Sequence, residues 1–121
     1  MKKPAIINAR IHGIIDYLVV VFLVAAPTLF GLSEYVSLLT YGLAGIHLIL
    51  TAITQFPLGI VKTLPFPLHG IVEVAASVVI ILAPWIFGFA EEAAGKWFYI
   101  LFGVAVFLTW LLSDYKPADA A

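Results

Sequence analysis

A chain of 121 residues makes at most one small unit. It is 64% hydrophobic and only 11% charged, with a mean hydropathy of +1.14; a water-soluble domain uses about a quarter of its residues as charges to cover its surface, so a soluble globule and a disordered chain are both excluded. Six Lys and Arg against seven Asp and Glu leave no basic field for nucleic acid, and the lack of cysteine removes disulfides, thiolate metal sites, thioether-linked haem and a cysteine nucleophile.

What remains is an integral membrane protein with the lipid bilayer as its first partner. A hydrocarbon core of about 30 Å needs about 20 mostly apolar helical residues, and four stretches qualify, about 11–32, 36–56, 68–90 and 97–113. Valine and isoleucine are abundant, but four strands cannot close a barrel and an open sheet leaves its backbone unsatisfied in lipid. The expected fold class is therefore all-α, a four-helix bundle whose short connections set successive helices side by side and antiparallel. The first span resembles a signal peptide in its Lys2-Lys3 start, but Pro27 follows Ala25-Ala26 and the apolar run continues, so it is kept as a true span. Lys2, Lys3, Arg10, Lys62 and Lys116 flank one side and Lys96 alone the other, which predicts cytoplasmic N and C termini. Tyr35, Trp85, Trp97 and Tyr99 are expected at the outer interface, Trp110 and Tyr115 at the inner one.

Sliding the sequence by 57 positions lays the first span on the third. His12-Gly13-Ile14 meets His69-Gly70-Ile71, Asp16 meets Glu73, Ala26-Pro27 meets Ala83-Pro84, and Phe30-Gly31 meets Phe87-Gly88. The second and fourth spans align less well at 58, with Gly45 on Gly103 and Thr51 on Thr109. Two spans per repeat predict a parallel repeat, about 11–56 and 68–113, around a pseudo-twofold axis along the membrane normal. Ala83-Pro84-Trp85 with Gly88, and more faintly Ala26-Pro27-Thr28 with Gly31, resemble the SPW-repeat family of small bacterial membrane proteins. Alanine stands in place of the motif's serine and Thr28 in place of its first tryptophan. The resemblance implies a bacterial inner-membrane location and this fold, and it carries no established activity.

At about 100° per residue, His12, Asp16, Pro27, Gly13 and Gly31 fall in one stripe, as do His69, Glu73, Ser77, Pro84, Gly70 and Gly88. Small and polar residues face inward in membrane bundles, so both stripes are expected near the pseudo-axis. Pro27 and Pro84 are read as bends near the outer helix ends, Gly31 and Gly88 as caps, and Trp85 as an interfacial anchor.

The pairs His12/Asp16 and His69/Glu73 leave three readings open. They are structural (acids at the positive helix end, with Arg10 paired to Asp16), or a protonatable vestibule, or ligands of a divalent metal. His47 stands in the stripe Thr40, Ala44, His47, Thr51, Thr54, whose counterpart in the fourth span is almost wholly apolar. It is read either as hydrogen-bonded to a neighbour or as an asymmetric proton or ligand site. Counted from the inner end of its span it lies about 13 Å deep, which argues against one metal held by all three histidines and leaves a water-linked relay from Asp16 or Glu73. A mid-membrane site would make His47→Ala more damaging than loss of either edge histidine.

The function expected first is a structural or accessory membrane protein, with homo-oligomerisation an open option and Gly42, Gly45 and Gly103 compatible with close helix contact. The alternative is proton or small-ion permeation along the inward stripe. A bis-His haem between His12 and His69, or a metal-binding module, ranks below both, and no resident cofactor is expected. No nucleophile–base pair or phosphate-binding loop suggests an enzyme.

Overall fold

A computed structural model describes residues 5–116; Lys2 and Lys3 lie outside the described residues. The chain is all-helical, with α1 (Ala9–Leu29), α2 (Glu34–Ala52), α3 (Phe66–Ile86) and α4 (Ala93–Leu112). All four helices are long and apolar enough to cross a membrane.

Local chemistry sets their ends. Asn8 opens α1, its side-chain oxygen accepting from Ile11 N–H at 2.9 Å, and Ser33 opens α2 by accepting from Val36 N–H at 3.3 Å, with Glu34 at the positive helix end. Pro65 precedes α3 and Pro67 sits in its first turn, where a missing N–H costs nothing. α1 and α3 run on as helix through Pro27 and Pro84 and stop two residues later. There Gly31 and Gly88 take positive φ of 60° and 75°, and Leu32 N–H and Phe89 N–H reach back to the Pro27 and Pro84 carbonyls at 3.0 and 2.7 Å. That 6→1 bond is the Schellman cap, which a side chain bearing Cβ disfavours. Residues 57 apart thus end both helices identically.

Each helix stops or starts up to four residues from the bounds of its apolar run. α2 ends at Ala52 although hydrophobic residues continue to Phe56, because β1 (Thr54–Gln55) leaves the helix to pair in parallel with β2 (Leu64–Pro65). A second parallel bridge joins Ile7 to Ser113. Ile7 and Leu64 are 57 apart, so each segment entering α1 or α3 pairs with the segment leaving α4 or α2.

Helix packing is concentrated within the hairpins α1–α2 and α3–α4. One core fills the half of the molecule near Gly31 and Gly88, where Leu23, Val36, Ile80, Phe89, Phe98 and Phe102 are buried. Tyr99 belongs to this core rather than to an interface: it is 4% exposed and its hydroxyl lies 2.9 Å from Thr40 Oγ1. Because Thr40 already donates to the Val36 carbonyl at 2.7 Å, Tyr99 is the donor. Trp85 is 54% exposed, with the Lys96 ammonium 5.7 Å from its ring centre. At the other end a smaller cluster of Ala9, Phe56 and Phe66, with Leu58 and Tyr115 against it, closes the gap between the hairpins.

Candidate metal centre

Under that aromatic cap the first turns of α1 and α3 bring four buried donors together. His12 and His69 are 0% exposed, Asp16 2% and Glu73 5%. Spacing of four residues puts each histidine and its acid on one helix face, and Gly13 and Gly70 let the chain that follows each hairpin pack close. A Cβ on Gly13 would lie 2.9 Å from Leu58, and one on Gly70 2.9 Å from the Tyr115 ring.

His12 Nε2 lies 2.9 Å from Glu73 Oε2 and 3.3 Å from Asp16 Oδ2; His69 Nε2 lies 3.1 and 3.3 Å from the same two oxygens. One ligand atom from each residue can be chosen so that all four lie within 4.8 Å of one another. Metal–ligand bonds of about 2.0–2.1 Å imply donor–donor edges of about 3.4 Å in a tetrahedron and about 2.9 Å in an octahedron. The four N···O distances, 2.9–3.3 Å, fall within that interval.

The far nitrogens fix the tautomers. His12 Nδ1 is 2.7 Å from Ser113 Oγ, and His69 Nδ1 is 2.8 Å from Thr54 Oγ1. Ser113 spends its hydroxyl proton on the Thr109 carbonyl and Thr54 on the Leu50 carbonyl, both at 2.6 Å. A hydroxyl has one proton to give, so both Nδ1 atoms must donate, and both Nε2 atoms face the carboxylates as ligating atoms or as protonated donors. The bonds cross between hairpins: Ser113 follows α4 and holds α1, while Thr54 follows α2 and holds α3.

The aromatic cap seals this end. Phe66 lies 5.3 Å from the His12 ring and 5.7 Å from His69; Tyr115 lies 5.4 Å from His12, and Phe56 5.9 Å from His69. Burial first, and then the negative charge of Glu73, hold the Tyr115 phenol far above its ordinary range, so it stays neutral.

His47 joins the group, against the depth argument. Its Nε2 is 3.6 Å from Asp16 Oδ1. α2 stops at Ala52, so His47 is about 8 Å from that helix end, while Asp16 stands about 10 Å up α1. The two meet at one depth, directly rather than through a water-linked relay. The expected Arg10–Asp16 pair is absent: Asp16 faces three histidines and Arg10 is exposed. A haem between His12 and His69 does not fit either, since both Nε2 atoms reach the same Glu73 oxygen and leave no plane for a porphyrin. Pro27, Gly31, Pro84, Trp85 and Gly88 lie at the opposite end, away from the cluster.

Ser113, Phe56 and Phe66 take part although the sequence does not single them out; Thr54 belongs to the inward stripe of the second span, and Tyr115 is expected as an interfacial aromatic. The signal for the hydroxyls was present, since Thr54 and Ser113 close successive even-numbered helices. Their separation of 59 differs from the 57 and 58 that align the rest. Comparison with protein-family models, curated proteins and solved structures finds no match to this chain.

Proposed function

We propose that the chain is a multi-pass membrane protein of the SPW-repeat type whose two hairpins clamp one divalent first-row transition-metal ion between His12, Asp16, His69 and Glu73. The observation that carries this reading is Asp16 Oδ2. It is buried, lies 3.3 Å from both Nε2 atoms, and has hydrogen-bond geometry with neither. A buried carboxylate oxygen without a hydrogen bond is costly, and a cation between the four donors would compensate it. With both Nδ1 atoms held as donors, both Nε2 atoms turn inward to the carboxylates, which supports the same reading, as does charge: two carboxylates neutralise a divalent ion, which matters where water is excluded. Two imidazoles with two carboxylates suit zinc, iron, cobalt or nickel rather than calcium or magnesium.

A second reading is a packing device, in which two protonated histidines neutralise the two acids. It is favoured by the 2.9 Å His12–Glu73 contact, which joins the hairpins. Elemental analysis of the detergent-purified protein separates the two. Under the first, one ion per chain is present or can be titrated in, a chelator lowers the unfolding temperature, and the double variant Asp16→Asn with Glu73→Gln loses both effects. A protein that takes up no metal and ignores the chelator leaves the packing device. The proposal extends to a parallel pair of two-helix repeats in a bacterial inner membrane with both termini cytoplasmic. It is supported by Arg10, Lys62 and Lys116 at the helix ends nearest the cluster and Lys96 at the opposite ends.

A further inference from the structure

Beyond the four donors, on the side away from the aromatic cap, a cavity of about 120 Å³ runs up between the hairpins. Its upper wall is apolar, formed by Leu23, Leu43, Ile80 and Phe102, one residue from each helix. Its floor is polar: Asp16, Glu73 and His47 line it. His47 Nε2 is buried and has no hydrogen-bond partner. An enclosed apolar cavity of about 150 Å³ holds a benzene molecule; this one is somewhat smaller but not closed, which sets a single small ring as the upper limit of its occupant. Ile46 and Val72, which also line it, are 67% and 40% exposed on the outer faces of α2 and α3. The seam between those two helices is looser than the packing inside either hairpin. In a bilayer that seam opens onto lipid, and the aromatic cap blocks the axial route.

We propose that this cavity binds a small, neutral, lipid-soluble molecule, its body no larger than one aromatic ring and ending in a single hydroxyl or comparable donor. The molecule enters laterally between α2 and α3. Its apolar body replaces empty space against Leu23, Leu43, Ile80 and Phe102, and its donor reaches the polar floor. There its hydroxyl meets the Asp16 carboxylate and His47 Nε2, and an ion held by the four donors would offer its oxygen a Lewis-acidic partner. The metal part of this picture rests on the reading above; the cavity, its lateral opening and His47 do not. A charged ligand is excluded by the apolar walls, and a long chain by the volume.

The test uses para-fluorophenol as probe and fluorobenzene as its donorless control, followed by fluorine NMR saturation transfer on the detergent-purified full chain and by the visible bands of the cobalt-loaded protein. The expected result is transfer to para-fluorophenol at least about tenfold stronger than to fluorobenzene, lost in Ala76→Phe, which fills the cavity. Leu43→Ala, which enlarges it, extends binding to a fluoronaphthol that the wild type rejects. His47→Ala narrows the preference for the phenol. Cobalt bands that move with para-fluorophenol and not with fluorobenzene support ligation of the donor. Transfer that is equal for both probes and unchanged by Ala76→Phe and Leu43→Ala is partition into detergent, and overturns the proposal. Absence of cobalt bands alone defeats the metal reading while the fluorine signal still decides the cavity, so the two failures are distinct.

Discussion

The two hairpins agree closely at the end where α1 and α3 begin, and again at their glycine caps, and diverge between the two. At the common end His12 and His69, Gly13 and Gly70, and Leu58 and Tyr115 are related by one shift of 57, and each histidine is held by a hydroxyl from the other hairpin. Higher up the pairs part: His47 answers to Ala105, Thr40 to Phe98, and Gly45, with open space around it, to Gly103, which α3 touches. Symmetry is kept at both ends, where four donors converge from two sides and where Gly31 and Gly88 cap α1 and α3. It is dropped between them, where residues fill the bundle or, like His47, face the cavity.

If that pairing is functional, equivalent substitutions must do equal harm. His12→Ala and His69→Ala are each expected to abolish stoichiometric metal binding, read by elemental analysis after purification in excess metal. A variant of one that keeps its ion breaks the symmetric description of the site. One shell further out, Ser113→Ala and Thr54→Val each free an Nδ1 proton and release the imidazole to turn. Both are expected to weaken metal affinity by about 10–100-fold, measured by competition with a calibrated chelator. A difference between them of more than about tenfold would mean that the two hydroxyls are not equivalent supports.

Outside the site the hairpins are expected to respond differently. A Cβ on Gly103 would sit 2.6 Å from Ile81 Cγ1 and 2.9 Å from the Ile81 backbone nitrogen, and backbone cannot swing aside. Gly103→Ala is therefore expected to destabilise the protein by about 1–3 kcal/mol. Gly45→Ala meets nothing within 4 Å and is expected to change stability by no more than about 1 kcal/mol, on the stabilising side. Unfolding of both variants in one detergent checks the contrast; equal losses would show that α1–α2 packs as tightly as α3–α4.

Much of this was legible in the sequence for a physical reason: apolar length sets a membrane-sized helix, and a duplicated His–acid spacing places both pairs on inward faces. The four helices and the two glycine caps follow from that. Two things were hidden. The end of α2 at Ala52 cannot be read from hydropathy, because Ile53 and Phe56 are as apolar as the helix before them; it is decided by a backbone pairing with Leu64 and Pro65, a long step in tertiary space for a local signal. That misplaced end carried His47 too deep and separated it from Asp16. The second hidden element is the hydroxyl support. Ser113 and Thr54 look like ordinary residues at helix ends until the opposite hairpin brings an imidazole to each.

The smallest expected effect bears on His47, where the repeat is broken. Depth alone ranked it above the edge histidines, and the geometry inverts that order. His12 and His69 are fully buried with both ring nitrogens engaged, whereas the His47 side chain is 18% exposed and stands 3.6 Å from the nearest Asp16 oxygen. Its Nε2 lies on the cavity side of the acids, outside the set of four donors. His47→Ala is therefore expected to reduce metal affinity by less than about tenfold, a smaller change than loss of either hydroxyl support. The same substitution is expected to be felt in the cavity, where His47 Nε2 is buried without a hydrogen-bond partner. Ala105 also lines that cavity from α4, so combining His47→Ala with Ala105→His moves the imidazole to the other hairpin. Recovery of the preference for para-fluorophenol in the double variant would mean that the cavity needs one imidazole at this level and either hairpin can supply it. If the preference stays lost, the placement of His47 beside Asp16 on α2 is itself the requirement, and the break in the repeat is the feature that orients the site.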